Sequence, residues 1–338
     1  MEGVLRIDRV AHPSLTDNWL GDPIEREIPI YLPPGYSPAH RYPVAYWLAG
    51  YSGTARSRAN SNGFELNLFE RFDRLIASRT IPPALLVAAD GFTRYGGSQY
   101  LDSPTNGRYQ DAIAIDLVSY LDRHYSTIPS REARAVLGHS SGGYGALMMG
   151  MQRPDTFGQV ALHGGDAYFE YCYLPDIAKH QQHIARRGGP AQFVDWFWAQ
   201  DPTPSDSVVA LSLIAMAASY SANPAAPAGV DLPWDPETGE LIENVWLRWL
   251  RHDPVRLVSK YTDALKSLRL LYFDCGTRDE YHLHFGARIL ANRLAEHGIP
   301  FVHEEYDGTH SPVNHRAEMS FTRVGASWRT ALRLGEED

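Results

Sequence analysis

A serine stands at the centre of Gly138-His139-Ser140-Ser141-Gly142, directly after the apolar run Ala133 to Leu137 and before Gly143-Tyr144-Gly145-Ala146-Leu147. At a sharp strand-to-helix turn a hydroxyl is lifted above the sheet, and glycines two residues to either side let strand and helix approach closely. The frame selects Ser140, because centring it on Ser141 would need a small residue at position 139, which is histidine. A serine hydroxyl is a weak nucleophile at neutral pH and needs a base, with a third group to orient that base. In this arrangement the acid and the histidine follow the serine along the chain. Asp279 is the expected acid, in a segment Asp274 to Glu280 that ends an apolar strand at the edge where parallel sheets present their sites. Asp274 is the competing carboxylate, equally suited to bonding backbone amides, and Glu280 is read as opening the next helix, where it favours the helix dipole. His310, in the turn-rich run Asp307-Gly308-Thr309-His310-Ser311-Pro312, is the expected general base; His315 reads as a solvated or capping residue of the last helix. Two backbone N–H groups, of Tyr51 in Ala49-Gly50-Tyr51-Ser52-Gly53 and of Ser141, are the expected oxyanion donors. Such a set would hydrolyse a carboxylic ester through an acyl-serine. Acyl transfer to an acceptor other than water and ligand binding without catalysis are the alternatives.

These groups must be held by alternating strands and helices. From residue 27 to 166 short apolar runs alternate with amphipathic stretches, which predicts a largely parallel sheet with helical crossovers. Strands are expected at Glu27–Leu32, Pro43–Leu48, Ala84–Ala89, Ala133–Gly138 and Gly158–His163, with helices over Gln110–Tyr125 and Ser141–Met151. After a break the alternation resumes with strands at Leu268–Phe273 and Phe301–Tyr306 and helices near Tyr281–His297 and Asn314–Leu334. The expected division is a core of residues 1–166 and 267–338 and a cap or lid of residues 167–266. That insert holds Trp196, Trp198, Trp234, Trp246 and Trp249, five of the eight tryptophans. Its Tyr168, Phe169, Tyr171, Tyr173, Trp196, Phe197 and Trp198 could line an acyl pocket or pack among themselves, and the sequence favours neither. Asp102 to Tyr109 reads as a polar turn capping a helix start, with a part in shaping the pocket left open.

The chain has 338 residues, enough for one enlarged domain, and 31 basic against 40 acidic side chains give a net charge of −9. That balance repels phosphate backbones and argues against nucleic acid as a partner. Two cysteines, Cys172 and Cys275, lie in apolar or aromatic stretches and are expected as buried free thiols. The N-terminus carries no export pattern, so a cytoplasmic location is the default expectation. The most apolar window, Val208 to Ala218, is too short to cross a bilayer and reads as a buried helix. His180-Gln181-Gln182-His183 and His282-Leu283-His284 lack the companions of a zinc site, so no metal or cofactor is expected. A small-molecule ester is the expected partner, and an assembly of identical subunits is left open.

The runs Leu32-Pro33-Pro34-Gly35-Tyr36, Arg41-Tyr42-Pro43-Val44, Ser103 to Tyr109, Gly138 to Gly145, Cys275 to Glu280 and Gly308-Thr309-His310-Ser311 resemble an esterase family of the α/β-hydrolase superfamily. That family includes feruloyl esterases, enterochelin esterases, S-formylglutathione hydrolases and mycolyltransferases. The resemblance covers the core and skips most of the insert. It implies an α/β-hydrolase fold, Ser140 as nucleophile, Asp279 as acid, His310 as base, and catalysis without a cofactor. Tyr46-Trp47-Leu48-Ala49-Gly50-Tyr51 is similar to the oxyanion loop of S-formylglutathione hydrolases, although the insert here is longer than theirs. Pro29 cannot donate a ladder hydrogen bond, which places the first expected strand at a sheet edge.

Overall fold

The computed structural model describes residues 1–311 and 314–333. Eight strands form one sheet: β1 (Val4–Ala11), β2 (Glu25–Leu32), β3 (Val44–Leu48), β4 (Leu85–Ala89), β5 (Arg134–His139), β6 (Gln159–His163), β7 (Leu270–Gly276) and β8 (Val302–Tyr306). Their order is β1-β2-β4-β3-β5-β6-β7-β8. β1 and β2 run antiparallel to their neighbours, and β3 to β8 are parallel. All seven strands expected from the sequence are present, with ends shifted by a few residues.

β1 was not expected. Its Arg6, Asp8 and Arg9 interrupt the apolar pattern, as suits an outermost strand whose open edge must discourage pairing with another chain. Its presence moves β2 one place inward and corrects the expectation that Pro29 marks an edge. Pro29 sits opposite Ile7 of β1, while the ladder to β4 takes in only Ile30 and Tyr31.

The central strands read as unbroken apolar runs because both faces are covered. On one face Val44, Tyr46, Leu48, Val136, Val160 and Leu162 pack with Ile113, Leu117 and Leu121. These last three come from a helical segment 109–124 that has wider π turns at Ala112–Leu117. On the other face Ala45, Trp47, Leu86, Leu137 and Ala161 meet Phe69 and Phe72 of α1 (Leu68–Ala77) and Phe321, Val324 and Trp328 of the closing helix (Asn314–Leu332). That helix was expected to run to Leu334, which lies outside the described residues.

The parallel strands end together. Leu48 is level with Gly138, His139 with His163, His163 with Asp274, and Gly276 with Tyr306. Loops after β3, β5, β6, β7 and β8 therefore emerge at one rim, the arrangement that lets residues far apart in the chain meet.

Among the described residues, 167–266 add no strand to this sheet. Their longest helices are α2 (Leu174–Ala185), α3 (Pro190–Trp198), α4 (Ser205–Tyr220) and α5 (Glu243–Leu250). The apolar window from Val208 forms most of α4, and Ala210, Leu211 and every residue from Leu213 to Tyr220 are buried in it. No helix among the described residues is long and apolar enough to cross a membrane. The turn before the 109–124 segment caps it as expected, since Asp102 accepts from the N–H groups of Gln110 (2.9 Å) and Asp111 (3.2 Å). It also anchors the insert: Asn106 donates to Ser219 Oγ (3.0 Å) and Thr105 to the Gly229 carbonyl (2.5 Å).

Beneath the rim, Asp274 is 1% exposed and bonds His163 Nδ1 (2.7 Å), Tyr272 Oη (2.7 Å) and Arg316 Nε (2.8 Å). Burial pushes its pKa up, but the charges and hydrogen bonds of His163, Tyr272 and Arg316 outweigh this and hold it below 3.8. We predict that Asp274→Ala, which strands these partners, lowers unfolding free energy by about 3–5 kcal/mol in urea titration. Because its folded pKa is depressed, the contribution of Asp274 is complete at neutral pH and is lost as pH falls through that pKa. Asp274→Asn should therefore lose less stability than the native chain on acidification from about pH 5 to pH 3.

Candidate active site

β5 delivers Ser140 to the rim with φ 57° and ψ −127°, a conformation that strains any residue with a side chain. The next residue begins the helix Ser141–Gln152, so the hydroxyl stands at the tip of the turn. The close approach has a measurable cause. A Cβ on Gly138 would lie 2.2 Å from the Gly142 carbonyl oxygen, and one on Gly142 would lie 2.1 Å from that of Leu48. The turn is further tied to the neighbouring strand by the Ser140 N–H, which donates to the His163 carbonyl at 2.9 Å.

Asp279 follows β7 and His310 follows β8. His310 Nδ1 lies 2.7 Å from Asp279 Oδ2, with the two side chains 12% and 1% exposed. The other carboxylate oxygen accepts from the N–H groups of Tyr281 (2.9 Å) and Leu283 (3.3 Å). Burial pushes the Asp279 pKa up, yet the His310 bond and charge together with these amides bring it below 3.8. A carboxylate acceptor places a proton on Nδ1, leaving Nε2 with its lone pair.

The imidazole of His310 is clamped between two rings, His139 at 4.5 Å and Tyr281 at 4.8 Å between centroids. Its backbone is fixed as well. The His310 N–H donates to Glu280 Oε2 (2.9 Å), and His139 Nε2 donates to the His310 carbonyl (3.0 Å). Burial, followed by the neighbouring His310 and His163, holds the His139 pKa well below the usual imidazole value, so it serves as a neutral donor. Glu280 thus corrects its sequence reading: the helix after β7 begins at Leu283, and the Glu280 carboxylate supports the histidine loop instead of a helix dipole. Asp274, the competing acid, is bound to His163 below the rim. His315 packs its ring against Tyr306 at 5.8 Å. Pro312, at the end of the histidine run, lies outside the described residues.

Ser140, Ser141, Tyr51 and His310 line one cavity of about 440 Å³, with Gly50, Arg58, Asp166, Asp176, Val209 and Met216 among the other walls. Among the described residues, the Ser140 hydroxyl forms no hydrogen bond. Such contacts often close only around a substrate. A Cβ on Gly50 would come within 3.3 Å of the Ser140 Cβ, which puts the loop after β3 against the serine. Neither the Tyr51 nor the Ser141 N–H donates to a carbonyl among the described residues. The loop is braced from outside: Tyr51 Oη donates to the Tyr95 carbonyl (2.9 Å), Ser52 N–H to Gly96 (2.9 Å) and Tyr100 Oη to Ala49 (3.0 Å).

The insert contributes differently from one half of its expectation. Of its seven named aromatic residues only Tyr173 lines the cavity. Phe169 and Tyr173 pack with Tyr220 and Trp249 at centroid distances of 4.8–5.9 Å, and Trp198 bonds the Arg94 carbonyl at 2.9 Å. The cavity face of α4 is Val208, Val209, Ser212 and Met216. Sequence reasoning also missed His139, Asp166, Asp176 and Arg58. Only His139 had a positional signal, as the residue before the serine.

A mostly parallel sheet flanked by helices, with a serine at a strained elbow and a histidine–aspartate pair at the same rim, is the architecture of an α/β hydrolase. A ferulic acid esterase superposes with a TM-score of 0.61 at 18% identity, covering 96% of this chain and 98% of that one. An S-formylglutathione hydrolase from Agrobacterium tumefaciens gives 0.57 at 16% identity over 99% and 96%. The family model described as "Putative esterase" matches residues 23–322, and the chain belongs to this family. It is also 30% identical over 139 residues to an S-formylglutathione hydrolase of Arabidopsis thaliana, a match covering 39% of this chain. The match spans about half the length of that relative (49%).

We predict that Gly142→Ala, whose new methyl would meet the Leu48 carbonyl, costs about 1–3 kcal/mol of stability. Differential scanning calorimetry should show a lowered Tm, and an unchanged Tm would contradict the packing described for the elbow.

Proposed function

We propose that this protein is a serine carboxylic ester hydrolase working through an acyl-enzyme, with Ser140 as nucleophile, His310 as general base and Asp279 as the group that orients the base. The supporting observation is the 2.7 Å bond between Asp279 and His310 Nδ1, made beside a cavity that Ser140 also lines. It leaves Nε2 as the acceptor for the serine proton. As Ser140 Oγ attacks the carbonyl carbon, Nε2 takes the proton, and the carbonyl oxygen becomes an oxyanion held by the N–H groups of Tyr51 and Ser141. The proton passes to the leaving alcohol as the ester bond breaks. Water, deprotonated by the same nitrogen, then releases the acid and restores the serine. Residues 167–266 act as a cap over the core, supplying the aliphatic wall of the pocket from α4.

Purified protein should hydrolyse short-chain para-nitrophenyl esters and take a fluorophosphonate probe on Ser140. Ser140→Ala should abolish both, with hydrolysis falling by about 10⁴-fold or more. Retained labelling or turnover in that variant, at wild-type Tm, would overturn the proposal.

A further inference from the structure

One cation faces the cavity without a counter-charge. Arg58 is the one arginine or lysine among the described residues that line it, and it is half-buried. Its guanidinium bonds only Ser57 Oγ, from Nε at 3.3 Å and from Nη2 at 3.2 Å. Among the described residues no carboxylate lies within ion-pairing distance of it. Burial lowers its pKa, with only the interaction with Tyr100 opposing that effect. Fifteen other arginines do form ion pairs, in a chain with 40 acidic side chains. A half-buried guanidinium that bonds one neutral hydroxyl keeps most of its five donors free of protein partners, and a planar anion is the group that matches them.

The position is also informative. Arg58 Nη2 would be 3.5 Å from a Cβ on Gly53, in the loop whose Gly50 abuts Ser140. The acidic groups stand on other elements: Asp166 follows β6, and Asp176 belongs to α2. Asp166 is occupied by Gln99 Nε2 (2.8 Å) and Tyr173 Oη (2.8 Å). Asp176, also on the wall, has its pKa raised to about 6, chiefly by burial. The cavity is thus polarised, positive beside the oxyanion loop and acidic on the side of β6 and α2.

We infer that Arg58 is a specificity-determining residue that receives a carboxylate carried by the ester substrate, so that the preferred substrates are anionic esters. The inference rests on the esterase reading and adds the charge of the substrate to it. The carboxylate could belong to the acyl part or to the alcohol part, and two substrate pairs separate these sources. For the acyl side the pair is mono-para-nitrophenyl adipate and its methyl ester; for the alcohol side it is para-acetoxybenzoate and its methyl ester.

In one pair the wild-type kcat/KM should favour the carboxylate by about tenfold or more, the scale of a charge-assisted hydrogen bond. Arg58→Gln should cut that ratio by about tenfold, and Arg58→Lys, which keeps the charge but loses the fork, should fall between the two. A wild-type ratio at or below one in both pairs overturns the inference even if Arg58→Gln fails to fold. A wild-type preference that persists undiminished in Arg58→Gln overturns the assignment to Arg58. Hydrolysis of the neutral esters without any preference leaves the esterase reading standing and removes this one, whereas no hydrolysis of any ester, with no fluorophosphonate adduct, removes both.

Discussion

An imidazole can accept a proton from an alcohol only if its lone pair points at that alcohol, and the Asp279–His310 bond decides where it points. Placing a carboxylate at 1% exposure is costly unless its oxygens are matched by donors. Here two backbone amides satisfy one oxygen and the Nδ1–H of His310 the other. The rest of the histidine loop is held to serve this bond: Glu280 and His139 fix its backbone, while the His139 and Tyr281 rings limit rotation of the imidazole. A loop rich in turn residues becomes a support because its contacts come from two other parts of the chain, the 279–281 segment and His139.

The molecule holds a second chain of the same residue types, and the contrast shows what makes a site. Ser320 Oγ lies 3.0 Å from His163 Nε2, and His163 Nδ1 lies 2.7 Å from Asp274 Oδ1. All three are at most 1% exposed, and Arg316 also binds the carboxylate. This set joins the sheet to the closing helix and is closed off from solvent. The two sets share a histidine–carboxylate bond of 2.7 Å, but only the packing device also has its serine hydroxyl bonded to the imidazole. The two also differ in access, and access at the rim comes from a turn whose glycines admit no Cβ.

The insert and the core share the cavity unequally. Strand-following loops contribute the polar and titratable groups beside Ser140, and α4 adds Val208, Val209 and Met216. The tryptophans that dominate the insert's composition mostly pack within it. Bonds from the 95–106 segment to Ser219, Ala228 and Gly229 tie the end of α4 and the residues after it to that segment, so the apolar wall rests on a hydrogen-bonded support.

Much of this was legible along the chain because it is encoded locally. A strand buried on both faces is an apolar run of five or six residues, and a close strand-to-helix turn needs glycine on each side of its serine, so the core strands and Ser140 could be found without coordinates. That Asp279 and His310 would stand at one rim was legible because loops that end parallel strands emerge together. β1 escaped because an edge strand carries charges that blur its alternation, and with it went the true place of Pro29. Glu280, Asp166, Asp176 and Arg58 escaped for another reason. No short-range pattern marks a residue whose role depends on which loop lies across from it, and that follows from strand order and register, fixed by side-chain packing between segments well separated in the chain.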